Sequence, residues 1–287
     1  MDTSSLSTSI NKGFLMSLIL VVGIGAINFG YSIGVFNSMQ DDFIVVFGYY
    51  FKSPEYKKDI LKWVTTSCTV GFAVGALFSA PFMKFGKKNC IIFTNIFVII
   101  GCSLCMIKQI EVVFVGRFLF GVGGGAFSVF VPSFINEVTP VELKGPFGSA
   151  TQILVNFGIM ISNFFGIPFP SCESEFTCFK INPFDDSFIQ TGYWRILYAF
   201  PIGFSLIQCL LLLTVFNFET PKFLKQNGRS AELNTIMGKI YSHDQVQSRI
   251  DSIVISSGGS APSYRETLTS PKYMVATIIG CILSLSQ

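Results

Sequence analysis

Charge is scarce in this sequence: only 13% of its 287 residues are Asp, Glu, Lys or Arg, against about a quarter in a soluble domain. Acidic residues are missing altogether from its long apolar stretches. That excludes a carboxylate relay of the kind that proton-driven carriers bury within the membrane. One histidine, His243, stands alone in a polar segment, so no His-based metal cluster is expected. The basic residues are dispersed between apolar stretches and form no continuous block, which argues against a nucleic-acid partner. A cleavable leader is not expected either, because the start "MDTSSLSTSINKG" is polar and the run behind it is too long for a signal h-region. It reads as an uncleaved anchor.

What is abundant is hydrophobicity, at 50% of residues with a mean hydropathy of +0.57. Six apolar runs approach the roughly 20 residues that a helix needs to cross a bilayer: 14–36, 63–83, 90–107, 112–135, 147–169 and 194–216. A seventh begins near Tyr273 and is still running at Gln287. A helix ending there would leave carbonyls unpaired in hydrocarbon, so the sequence reads as unfinished. The expected fold class is an all-α membrane protein with four parts. These are a tail (1–13), a six-span bundle (14–217), a polar linker (218–271) and an incomplete seventh span (272–287). Within the linker, Leu233, Ile236, Met237 and Ile240 recur at amphipathic-helix spacing.

Orientation follows from lysine and arginine. Lys84, Lys87 and Lys88 lie after the second run, and Lys222, Lys225, Arg229, Lys239 and Arg249 after the sixth. Alternating spans put both groups on one side, expected to be cytosolic, together with the N-terminus. Cysteines add little. "CSLC" at 102–105 lies inside an apolar run and reads as buried, inert thiols. Cys172 and Cys178 share a loop on the expected outer side, where a disulfide and two free thiols are equal readings.

The fourth run contains "GRFLFGVGGGAFS" (116–128), one arginine followed by four glycines within five residues. Glycine stripes let membrane helices approach closely. GxxxG occurs at Gly30/Gly34, Gly71/Gly75 and Gly121/Gly125, and the first and fourth spans are expected to meet through theirs. A phosphate loop would need a preceding strand and an aqueous helix N-terminus, and neither fits. Arg117 is expected to snorkel outward and to bond neutral acceptors such as backbone carbonyls or the Ser32 hydroxyl. In the fifth run, Ser149, Gln152, Asn156 and Asn163 fall within roughly 60° of one another on a helix. Interhelical hydrogen-bonding and a wet, amide-lined cavity suited to an uncharged polyhydroxy ligand both account for that stripe.

Several motifs, in order along nearly the whole chain, carry a resemblance. They are "GYSIGVFN" (30–37), "FGKKN" (85–89), "GRFLFGVGGG" (116–125), "VPSFINEVTPVELKGPFGSATQILVNFGI" (131–159), "YWRILYAFP" (193–201) and "FETPKFL" (218–224). Together they resemble the sugar porters of the major facilitator superfamily, especially the facilitative hexose transporters. The final "SPKYMVATIIGCILSLSQ" looks like the start of that family's seventh helix.

The resemblance implies the N-terminal half of a twelve-span carrier, not an enzyme, with no cofactor. Its implied partners are a monosaccharide, the lipid bilayer and a missing C-terminal six-span half. Gln152 matches a sugar-bonding residue, Val155 and Ile159 the apolar wall beside it, Phe29 and Ile33 cavity-bordering positions on the first helix, and Gln287 a ligand from the second half. Glu137 and Lys144 match a charged pair. Lys87, Lys88, Glu219 and Lys222 match charges that close the inner face, and Arg117 matches the arginine that symporters pair with an aspartate. Here the residue after "GY" is Ser32, which points to uniport. A proton-coupled symporter and a non-transporting sugar sensor are the alternatives. Lysine replaces the usual arginine at Lys84, Lys87, Lys88, Lys144 and Lys222, losing bidentate geometry, while Met83 and Phe218 depart from the motif residues. The plasma membrane is the expected location. Hexose, pentose and inositol carriers share these motifs, so they name no single sugar.

Overall fold

A computed structural model of the chain describes residues 10–46, 54–167 and 192–253. It falls into two compact units, Met1–Gln247 and Ser248–Gln287; the bundle and its sites belong to the first. Cys172, Cys178, Gln287 and the seventh apolar run lie outside the described residues.

Six long helices follow one another: α1 (Lys12–Val46), α2 (Pro54–Phe82), α3 (Lys87–Cys105), α4 (Ile110–Val138), α5 (Lys144–Gly166) and α6 (Tyr193–Thr214). Three short ones come after: α7 (Pro221–Gln226), α8 (Ser230–Ile240) and α9 (Val246–Ser252). The long helices start or end beyond several apolar runs, since a helix satisfies its own backbone in water as well as in lipid. Five of the six are apolar and long enough to cross a membrane. The fifth of the expected spans, α5, is not among them. Its 23 residues give about 34 Å of helix, enough for a bilayer core, but its amide and hydroxyl stripe lowers its hydropathy.

The glycines decide which helices touch. A Cβ at Gly121 or Gly125 would collide with the backbone carbonyls of Cys68 and Phe72 on α2. One at Gly71 or Gly75 would collide with those of Phe118 and Val122 on α4. The GxxxG motifs of α2 and α4 therefore face each other, and these two helices share the most extensive contact among the described elements. Gly116 and Gly123 of α4 abut α3 instead, at Cys105 and Val98. The α1 motif points elsewhere: Gly30 meets the Val155 carbonyl, and Gly34 meets Ser162 and Ile159, all on α5. The expected pairing of the first and fourth spans through their GxxxG motifs is thus corrected. α4 does touch α1, through Gly124 beside Ser32 and through Phe127 and Val131 beside Gly25, but its motif belongs to α2. GxxxG encodes a close approach and leaves the partner open.

Buried amides and hydroxyls fasten α1, α3 and α6. The Gln208 side chain donates to the carbonyls of Val21 and Val22 (2.9 and 3.0 Å) and accepts from Asn95 Nδ2 (2.9 Å). Asn28 Nδ2 donates to Ser205 Oγ (3.1 Å), and the Tyr31 hydroxyl donates to the Leu197 carbonyl (2.8 Å). In an apolar interior such groups need partners, since an unpaired one costs about 1–3 kcal/mol.

One end of the bundle gathers the start of α1, the α2–α3 and α4–α5 turns and the end of α6. There Ile10 pairs with Tyr241 in an antiparallel bridge, and Asn11 N donates to the Ile240 carbonyl at 2.9 Å. α8 buries Leu233, Ile236, Met237 and Ile240. At the opposite end, α6 ties to α5 through Tyr193 Oη and the Phe165 carbonyl, and to the end of α3 through Arg195 Nε and the Met106 carbonyl.

Candidate functional site

Two groups of residues carry the functional expectations, one on the face shared by α1 and α5 and one at the charged end.

On the first, Gly30 and Gly34 let α1 lie directly against Val155, Ile159 and Ser162 of α5. Phe29 and Ile33, one turn apart on α1, flank that contact. Ile33 is 39% exposed, and Phe29 is half-buried, edge-on to Phe72 with ring centroids 5.4 Å apart. Val155 and Ile159 are half-buried, while Gln152 and Asn156 are exposed. Gln152 Nε2 donates to Asn156 Oδ1 at 3.4 Å, one turn along the same helix. Only Gly158 and Ser162 of α5 are buried. Gln152 and Asn156 thus stand open beside the α1–α5 contact, presenting amide donors and acceptors at the edge of an apolar wall.

At the charged end, α2 stops at Phe82, a single turn (Met83–Phe85) follows, and Gly86 turns the chain at φ 96°. A side chain at that φ would be strained, and a Cβ would also strike the Glu219 carboxylate. Glu219 is buried and accepts the first-turn amides of α3, from Lys88 N (3.1 Å) and Asn89 N (3.2 Å). A carboxylate at a helix N-terminus meets both unpaired N–H groups and the positive end of the helix dipole. Lys88 Nζ donates to Asn217 Oδ1 at 2.8 Å. Lys87 Nζ pairs with Glu137 Oε1 at 2.8 Å and donates to the Ser133 carbonyl at 3.2 Å. The other Glu137 oxygen accepts from Thr220 Oγ1 at 2.7 Å. The resulting chain of contacts joins α3, α4 and the segment after α6.

This corrects the charged pair expected from the resemblance. Glu137 is joined to Lys87, whereas Lys144 is exposed and has no ion-pair partner among the described residues. Lys144 begins α5 beyond the Val141–Leu143 turn, on the solvent side of the cluster. Lys222, in the first turn of α7, is half-buried near Lys87. Sequence reasoning missed Asn217 and Thr220. Their polarity beside Glu219 was the available signal, although short polar residues before a helix usually act only as its cap.

Arg117 also differs from expectation. It does not snorkel: 2% of it is exposed, and its guanidinium lies 4.5 Å from the centre of the Phe36 ring. Nε and Nη1 have no hydrogen-bond partner among the described residues. The Ser32 hydroxyl donates instead to the Phe29 carbonyl at 2.7 Å. Packing explains the change, because Gly116 draws this stretch of α4 onto Cys105 and the Gly101 carbonyl of α3, enclosing the arginine before it can reach the surface. Cys68, Cys102 and Cys105 are free and buried. Among the described residues, no group of three or more His, Cys, Asp or Glu could hold a metal ion.

Comparison with known proteins sets this geometry in context. The profile of the "Sugar (and other) transporter" family matches residues 18–287. The chain is 26% identical over 289 residues to "Hexose transporter 1" of Toxoplasma gondii, covering 96% of this chain and 50% of that protein. It is 30% identical over 285 residues to "Hexose transporter 1" of Plasmodium falciparum, covering 93% and 54%. It is 27% identical over 294 residues to "Solute carrier family 2, facilitated glucose transporter member 3" of Gallus gallus, covering 95% and 55%. The chain thus spans about half the length of these relatives. Its fold superposes on the major facilitator proton:xylose symporter XylE bound to 6-bromo-6-deoxy-D-glucose. The TM-score is 0.70 at 20% identity, covering 84% of this chain and 52% of that one. The six-helix bundle shares the fold of that major facilitator carrier, and with a family match over residues 18–287 the chain belongs to the sugar transporter family.

Proposed function

We propose that the chain forms the first six-span half of a facilitative hexose carrier that works by alternating access, its sugar site completed by a second six-span half. The observation that carries this reading is the open α1–α5 face. Gln152 and Asn156 offer uncharged donors and acceptors beside the apolar Ile33, Val155 and Ile159, a surface that suits the hydroxyls and ring face of a sugar and no ionised ligand. That each relative is matched over about half its length accords with a site lying between two halves. Uniport is supported by the surroundings of Arg117, which has no carboxylate partner among the described residues, so the pair that would carry a proton is incomplete. The cluster around Lys87, Glu137 and Glu219 acts as the inner gate's anchor and faces the cytosol with the N-terminus, in the plasma membrane. The hexose relatives favour a hexose over a pentose.

The test is Gln152→Leu in a complete carrier containing this chain. Losing a hydrogen-bonding amide against a sugar hydroxyl costs roughly 1–3 kcal/mol, about 5- to 150-fold in affinity. Hexose affinity measured by competition uptake should fall within that range. Unchanged affinity would mean that Gln152 does not touch sugar.

A further inference from the structure

A cavity of about 610 Å³ lies on another side of the bundle, between α2, α3 and α4. Its volume is in the range of sites for small organic ligands, yet it shares no residue with the α1–α5 face. The small Gly123 and Ala126 of α4 help form its lining, with Phe78 and Phe82 of α2 and Phe93 and Phe97 of α3 around them. Three of these rings are well exposed: Phe78 at 63%, Phe82 at 43% and Phe93 at 51%. Phe82 and Phe93 stand nearly parallel, centroids 6.5 Å apart, and link the two helices. Because α2 and α3 are both apolar enough to cross a membrane, this groove lies at acyl-chain depth.

At the α2–α3 turn Asn89 joins its apolar lining beside Phe85. Three lysines stand in this turn and the start of α3, and two are already engaged: Lys87 with Glu137 and Lys88 with Asn217. The nearby Glu219 carboxylate is turned inward onto the amides of Lys88 and Asn89. Lys84 is left exposed, with its ammonium 5.1 Å from the centre of the Phe85 ring and no carboxylate partner among the described residues. An apolar slot that opens at acyl depth, with an exposed cation beside the Phe85 ring that lines it, complements one kind of molecule: a chain of hydrocarbon carrying an anionic head.

We propose that this groove binds an anionic glycerophospholipid, one acyl chain lying over Gly123 and Ala126 between the Phe82 and Phe93 rings, its phosphate held by Lys84 and the Asn89 carboxamide. The site is separate from the sugar face and does not depend on which solute is carried.

Native mass spectrometry of the full chain released from detergent tests this, with phosphatidic acid and phosphatidylcholine of matched acyl chains as probes. A single lysine near an anionic head is worth about fivefold in affinity. Phosphatidic acid should therefore be retained about fivefold over phosphatidylcholine, and Lys84→Ala should bring the two to parity while Lys84→Arg restores the preference. Val74→Trp, which fills the groove from α2, should abolish retention of both. Should that variant fail to fold by circular dichroism, Lys84→Ala at its exposed position still decides the matter. Equal retention of the two lipids by the unaltered protein, a preference that survives Lys84→Ala, or retention by a folded Val74→Trp variant would each overturn the proposal. Retention of neither lipid by the unaltered protein would overturn it too.

Discussion

Glu219 shows most clearly what a single residue does in this structure. Its two oxygens accept from Lys88 N and Asn89 N, at the opening of α3. It comes from the segment after α6, 130 positions along the chain from Asn89. Removing it strands two amides at the start of a buried helix and takes a negative charge away from the positive end of its dipole. Glu219→Ala should lower stability by about 0.5–2 kcal/mol, the range for losing a helix cap, read as a reduced unfolding midpoint in detergent. Glu219→Gln should recover part of it, because one amide oxygen still accepts. An unaltered midpoint in Glu219→Ala would show that Lys88 and Asn89 find other acceptors at no cost. Sequence reasoning had Glu219 among the charges that close the inner face but not as the cap of α3, since a motif match conveys residue type and position but not the direction in which a carboxylate points. The same holds for Arg117. Its place in a glycine-rich span was plain, but its burial over Phe36 depends on how closely α3 approaches Gly116.

At the scale of helices, the apolar runs were legible because span length is set by the bilayer, and the close-packed faces were legible because glycine leaves a groove. Partner choice was not legible: it depends on which grooves match in register, a property of two helices at once. α5 was harder still. Its amides reduce its hydropathy below that of its neighbours, yet those amides are what place it beside the solute path in the proposed carrier. The α2–α4 contact gives a direct contrast. At Gly121 a Cβ would press into the Cys68 carbonyl, a backbone atom that cannot swing aside, whereas at Gly203 on α6 nothing lies within 4 Å. Gly121→Ala should therefore separate α2 from α4 and cost about 1–3 kcal/mol, as overpacking does, while Gly203→Ala should leave the unfolding midpoint unchanged or slightly higher. Equal midpoints for the two variants, measured side by side, would contradict the packing described here.

For the molecule as a whole, the six helices close on one another through Gln208, Asn28, Tyr31 and the glycine contacts, yet α5 leaves Ile153, Met160 and Phe164 exposed, at 64%, 57% and 68%. A face that is apolar at these positions and amide-bearing at Gln152 and Asn156 is complete only against something else, which in the proposed carrier is a second bundle and the sugar between them. The sidedness of the bundle, the identity of the hexose and the coupling mode are properties of that assembled carrier, beyond what spacing and composition encode in one half. The most direct test is labelled-hexose uptake into transporter-null cells expressing a complete carrier that contains this chain, with and without a protonophore. Saturable uptake that levels off at equal inner and outer concentrations, and that the protonophore leaves unchanged, is the predicted result. Accumulation above the outer concentration that collapses with the protonophore, or no hexose uptake at all, would contradict it.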